Sequence, residues 1–208
     1  MYRAILPLGE QRMEDLSDIE PLTITKRAED TDGAYFQADI IFHPSSDSSN
    51  PTTHSLHRRW LVDNDAEHLH PHQAESFVVQ SGEFQVDIEG TVHSLAEGDD
   101  ITIPPNTVHH HWNPSDRPAW IRVERSPARH TDALLETMYV LSQTNRTNAR
   151  GFPNLLQLAV LQHAHAGDSY TPNLPIVVQK ALSFILAPIG RLVGYKTHYT
   201  FDEIPADS

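Results

Sequence analysis

Between residues 33 and about 126 the chain falls into short runs rich in β-branched and aromatic residues, each bounded by Gly, Pro, Asn or Asp. The runs cover 34–43, 57–62, 75–80, 83–89, 91–95, 101–103, 107–112 and 119–125. Strands this short at this spacing predict an all-β sandwich or barrel. Residues 44–53 read as a Ser/Asn/Asp/Pro loop, and Ser81-Gly82 and the stretch 97–100 read as turns.

From about residue 131 the period changes. Leu134, Met138 and Leu141 recur at i, i+4 and i+7, with Leu135 and Tyr139 beside them. That is the spacing of one helix face. Residues 155–164 predict a second short helix after Pro153. In a third, Val178, Leu182, Ile185, Leu186, Ile189, Leu192 and Val193 form one apolar stripe, which Pro188 is expected to kink. Such a stripe can lie on a membrane surface, or pack on the barrel or a second subunit. Its polar face carries little basic charge, so packing is the expectation. The chain therefore divides into an N-terminal arm over 1–32, a β-barrel over 33–126 and a helical extension over 127–208.

Charge narrows the partners. Lys and Arg number 15 against 28 Asp and Glu, a formal charge of −13 at pH 7. Nucleic acid and anionic membrane surfaces select basic patches, so neither is an expected partner. Cysteine is absent, which removes disulfides, thiolate metal ligands and thiol nucleophiles together. Residues 1–10 hold an apolar run too short for a signal-peptide core. In the most apolar stretch, 175–195, only ten residues separate Lys180 from Arg191. A helix needs roughly 18–20 to span a bilayer. A cytoplasmic protein without stable membrane insertion is expected.

Histidine is where the sequence speaks about function. There are 14, and most of the candidates for chemistry fall in two stretches. The first holds His68, His70, His72 and Glu75. Side chains at i and i+2 of a strand share a face, so His68 and His70 can present imidazoles side by side. Pro71 breaks the strand and can reset the face before Glu75. The second stretch runs from Gly98 through the turn Pro104-Pro105-Asn106 to His109, His110, His111 and Asn113. His109 and His111 share one face and His110 takes the other. His43, His54, His57, His93, His130, His163, His165 and His198 are scattered and read as ordinary surface or packing residues.

These two stretches resemble the cupin motifs G-x5-H-x-H-x3–4-E-x6-G and G-x5-P-x-G-x2-H-x3-N. His68, His70, Glu75 and Gly82 match the first, and Gly98, Pro104, His109 and Asn113 match the second. Val62 stands where the first motif opens with glycine, and Asn106 replaces the glycine after Pro104. Asn also tolerates the left-handed turn conformation. The resemblance covers about residues 33–126. It implies a mainly β, cupin-type double-stranded β-helix (jelly-roll) barrel, here followed by the helical extension. It also implies one divalent metal per chain, held by His68, His70, Glu75 and His109. Such donors suit Fe(II), Mn(II), Ni(II), Cu(II), Co(II) or Zn(II), with Fe(II) the first expectation. Cupins commonly dimerise through the barrel, so a homodimer is expected.

Other residues are candidates for the reaction itself. His111 is inward by alternation and is expected to serve the pocket. Arg122 and Glu124 share a strand face with Trp120, while Ile121 and Val123 take the other. If the Trp120 face meets the metal, Arg122 can hold a substrate oxyanion and Glu124 can move a proton. The plainer reading, which is the expected one, puts Ile121 and Val123 inside and the charged pair outside. Phe77, Val79, Phe84 and Val86 are expected to line an apolar pocket. The expected function is a mononuclear metal enzyme acting on a small apolar or aromatic metabolite by dioxygenase-type oxidoreductase chemistry. The alternatives are a non-redox isomerase, cyclase or decarboxylase that uses the metal as Lewis acid, and a non-catalytic, metal-loaded small-molecule-binding cupin.

Overall fold

The computed structural model describes residues 20–44, 66–148 and 151–205. Among these residues eight strands form two antiparallel sheets. They are β1 (Leu22–Lys26), β2 (Phe36–Phe42), β3 (Ala74–Ser81), β4 (Glu83–Ile88), β5 (Thr91–Ala96), β6 (Asp100–Ile103), β7 (His109–Trp112) and β8 (Ala119–Ser126). The first sheet has the order β1-β2-β8-β3-β6 and the second β5-β4-β7. The sequence runs at 34–43, 75–80, 83–89, 91–95, 101–103, 107–112 and 119–125 coincide with strands, while the run at 57–62 lies outside the described residues. β1 falls within the segment read as an arm. Among the described residues it pairs only with β2, at the edge of their sheet, and its short Leu-Thr-Ile-Thr-Lys pattern gives little periodic signal.

Alternation sets what faces inward. Phe36, Phe77, Phe84 and Ile121 are fully buried between the sheets, with Val79, Val86 and Ile103 beside them. Burying each such side chain contributes about 1.5–3 kcal/mol. These residues fill the barrel rather than line a pocket, contrary to the expectation for Phe77, Val79, Phe84 and Val86. The Phe42, Phe77 and Phe84 rings meet at 4.9–5.3 Å and leave no room there. The turn between β3 and β4 requires glycine: Gly82 has φ +90°, and a Cβ would sit 3.0 Å from Ala119. Asn106 takes φ +62°, the left-handed role that the motif gives to glycine.

Three helices follow: α1 (Thr131–Gln143), α2 (Leu155–Ala164) and α3 (Ile176–Leu192). Asn154 caps α2 by accepting from the Leu156 and Gln157 N–H groups. Gln73 ties α1 to the barrel, donating to Pro127 O, Ala128 O and Thr131 Oγ1. α3 runs through Pro188 and turns its small residues inward: Ser183, Ala187 and Gly190 are its buried positions. A Cβ at Gly190 would lie 2.6 Å from Val160 Cγ2 and 2.9 Å from the Leu156 carbonyl, so the two backbones approach closely. In the single chain most of the large stripe stays uncovered. Ile185, Ile189, Leu192 and Val193 are exposed, because the small face allows the tighter contact with α2. No helix among the described residues is long and apolar enough to cross a membrane.

Candidate metal centre

The stretch 68–70 is held from three directions. His68 and His109 exchange backbone hydrogen bonds at 2.9 Å, Leu69 and Tyr170 do so at 2.9 and 3.0 Å, and Asn106 N–H donates to the His70 carbonyl at 2.7 Å. β3 then restarts after Pro71 with Glu75 pointing inward, as the broken strand predicted. The structure brings His68, His70, Glu75 and His109 together, with one ligand atom from each within 4.8 Å of all the others.

Backbone carbonyls orient all three imidazoles. Nδ1 of His68 faces Ala66 O at 3.0 Å, Nδ1 of His109 faces Thr107 O at 2.9 Å, and Nδ1 of His70 faces the Asp168 carbonyl. A carbonyl only accepts, so each Nδ1 carries the proton and each Nε2 is left as a lone pair. The Nε2 atoms of His109 and His70 then lie 2.9 and 3.2 Å from Glu75 Oε2. Lone pairs converge on a carboxylate oxygen, an arrangement that wants a cation in its midst. Imidazole nitrogen with its other nitrogen bound to a carbonyl is the usual dress of a metal ligand. The four side chains therefore fit one divalent ion.

Glu75 Oε1 is occupied differently. It accepts from Arg125 Nε at 2.7 Å, inside the barrel, through the β3–β8 register that pairs the two residues. Burial pushes the Glu75 carboxyl up, but the Arg125 guanidinium and the His70 and His109 imidazoles outweigh it and hold it well below the usual carboxylate range. Burial and the neighbouring imidazoles of His70 and His109 hold His68 well below its ordinary value. His70 is lowered by burial and by Arg125. Neutral imidazoles beside an ionised carboxylate are the protonation states that bind metal. Arg125 was not singled out in the sequence. Its signal was there: it continues the inward series Ile121, Val123, Arg125.

The same alternation corrects two site candidates. Arg122 and Glu124 face away from the cluster, since Ile121 and Val123 take the inner side of β8. Arg122 donates to both oxygens of Asp39, at 2.8 and 3.0 Å, and Glu124 accepts from Gln37 at 3.3 Å. His111 is inward, but its ring packs 4.8–5.5 Å from those of Phe42, Phe77 and Phe84. Burial lowers its pKa to about 3, so it stays neutral and is a poor proton acceptor.

A cleft of about 910 Å³ opens between the barrel mouth and the helices. His68, His110 and Arg125 form its barrel side, and Leu134, Met138, Leu158 and Leu186 are among its apolar helical walls. His110 was read as outward and inert. It does point out of the barrel, but the extension makes that side a cleft wall.

Residues 63–123 match the family model of the cupin domain, and the three helices lie beyond the matched span. Among similar solved structures is a double-stranded β-helix protein from Klebsiella pneumoniae, 20% identical over 51% of this chain and 75% of that one, TM-score 0.37. Another is the Cupin_2 domain of an XRE-family transcriptional regulator from Enterobacter cloacae (19%, 50% and 93%, TM-score 0.37). A third is KdgF from Halomonas sp. (18%, 57% and 92%, TM-score 0.39). No curated protein matches the sequence.

Proposed function

We propose that the chain is a mononuclear metal-dependent cupin enzyme of the dioxygenase type, acting on a small apolar or aromatic metabolite. The observation that carries this reading is the convergence of imidazole lone pairs on Glu75 Oε2 beside an apolar cleft. His68, His70, Glu75 and His109 would hold the ion. When bound, a divalent ion supplies Lewis acidity and, if it is Fe(II), redox chemistry with dioxygen. The apolar helical walls bind the body of the substrate and exclude water from it. Arg125 orients Glu75 through one N–H and also faces the cleft, so its remaining donors suit an anionic substrate oxygen.

The non-redox alternative needs a residue to move a proton. Arg122 and Glu124 lie on the other face of β8 and His111 is packed among phenylalanines, which weakens that alternative. Glu67, His110 and His165 on the cleft wall are the groups it could use. The test is metal analysis of anaerobically purified protein beside H109A. About one Fe(II) per chain, lost in the variant, is the expected result. A redox-quiet ion lost in the same way would turn the assignment to Lewis-acid chemistry. No ion dependent on His109 would sink both enzyme readings.

A further inference from the structure

A second cluster lies where the extension meets the barrel. His130 precedes α1, His165 closes α2, and Asp168 follows in the loop that pairs with 68–70. One ligand atom from each lies within 4.8 Å of the other two. The sequence had these histidines as ordinary surface or packing residues. The structure gives two reasons to read them otherwise.

Asp168 is fully buried; its Oδ1 accepts from Arg129 Nε at 2.6 Å, but its Oδ2 has no hydrogen-bond donor among the described residues. His165 is 7% exposed; its Nε2 faces the Thr197 carbonyl at 3.2 Å, so Nε2 carries the proton. That leaves the buried Nδ1 as a lone pair, and it too has no hydrogen-bond partner among the described residues. Two buried acceptors without a donor are costly, and native structures resolve such pairs with water or an ion. His130 supplies the third group. Its Nδ1 is 3.5 Å from Asp168 Oδ2, and its side chain is 60% exposed, so it is free to turn toward the site.

We propose that His130, His165 Nδ1 and Asp168 Oδ2 form a second divalent-metal site, of the Zn(II) type, with solvent in the fourth position. Two imidazoles and a carboxylate with an open position are a known zinc donor set. Ligand bonds of about 2.0–2.2 Å set tetrahedral donor atoms about 3.4 Å apart, and His130 Nδ1 already stands 3.5 Å from Asp168 Oδ2. The second contacts are in place: Arg129 on the other carboxylate oxygen and Thr197 on the other imidazole nitrogen. The site also touches the first centre, because the Asp168 carbonyl is the acceptor that orients His70. An ion on Asp168 therefore fixes the loop that holds a ligand of the other ion.

The test is Zn(II) titration of the metal-stripped full chain, with Co(II) absorption as the coordination readout. Two equivalents are expected for the wild type. H130A, at an exposed side chain, keeps the fold and loses one equivalent, with affinity there falling about 100-fold or more, since even an outer contact is worth 10–100-fold. A variant with both His68→Ala and His109→Ala keeps one equivalent, and its Co(II) bands disappear when His130→Ala is added. One equivalent in the wild type, unchanged in H130A, would overturn the second site. One equivalent that survives H68A/H109A and vanishes in H130A would instead overturn the first centre and leave this proposal standing.

Discussion

Inside the barrel Glu75 is 1% exposed and Arg125 8%, whereas on α3 Phe184 is 69% exposed and Leu192 88%. Both regions invert the usual partition of polar and apolar residues. The barrel compensates its inversion. Each charge there has a partner at hydrogen-bond distance, and each cluster imidazole has a carbonyl behind it. The α3 stripe shows no such compensation among the described residues. A buried charge demands its partners, and an exposed apolar side chain demands nothing of the fold. Substitutions in the two regions should therefore differ sharply.

The largest effect is expected at Glu75. E75Q leaves Arg125 buried without its counter-charge, and breaking a buried pair from one side costs about 3–5 kcal/mol. Urea denaturation of the metal-free chain measures this without any contribution from an ion. A loss under about 1 kcal/mol, the range of an exposed ion pair, would mean that water reaches the pair and that the barrel is less closed than its core packing implies.

A smaller effect is expected where α1 meets the segments that follow β1 and α3. Glu136 on α1 accepts from Arg27 Nη1 at 2.9 Å and from the Phe201 N–H at 3.2 Å. Burial pushes its carboxyl up, but these bonds, with His198 beside them, leave it below its ordinary value. A depressed carboxylate stabilises the fold above the unfolded pKa of about 4.3 and loses that contribution as pH falls through the lower folded value. E136Q should cost about 1–2 kcal/mol at pH 7, and the gap from wild type should close below about pH 4. A gap that stays constant down to pH 3 would refute the charge-based account.

The comparison also explains what the sequence could disclose. Strand positions and the four cluster residues were legible because both are written locally, in period-two alternation and in fixed motif spacing. The side of β8 that faces inward was not. Trp120, Ile121 and Val123 are all apolar, so alternation alone left two registers open until β3 paired Glu75 with Arg125. The second cluster was illegible for a different reason. His130, His165 and Asp168 come from two helix ends and a loop, and only the docking of α2 beside α1 brings them together. On α3 the period of the stripe was right, but the contact made within the chain lies on the other face. Large side chains carry most of the apolar signal, yet the contact belongs to Ser183, Ala187 and Gly190, which carry almost none.

The smallest effect is expected on that stripe. Ile185 and Leu192 are 62% and 88% exposed, so I185S and L192S remove little buried surface and should change stability by no more than about 0.5 kcal/mol each. G190A, on the other face of the same helix, is the contrast: its methyl would meet Val160 and the Leu156 carbonyl, and overpacking of this kind costs about 1–3 kcal/mol. Thermal melts of the three variants, run at two protein concentrations, separate the faces. If the serine variants cost as much as G190A, the stripe is covered in solution. A cost that grows with protein concentration would then assign the cover to a second copy, and a cost independent of concentration would assign it to the chain itself. If they cost nothing at either concentration, α3 is held by its small face alone, and the apolar stripe contributes nothing to the stability of the folded chain.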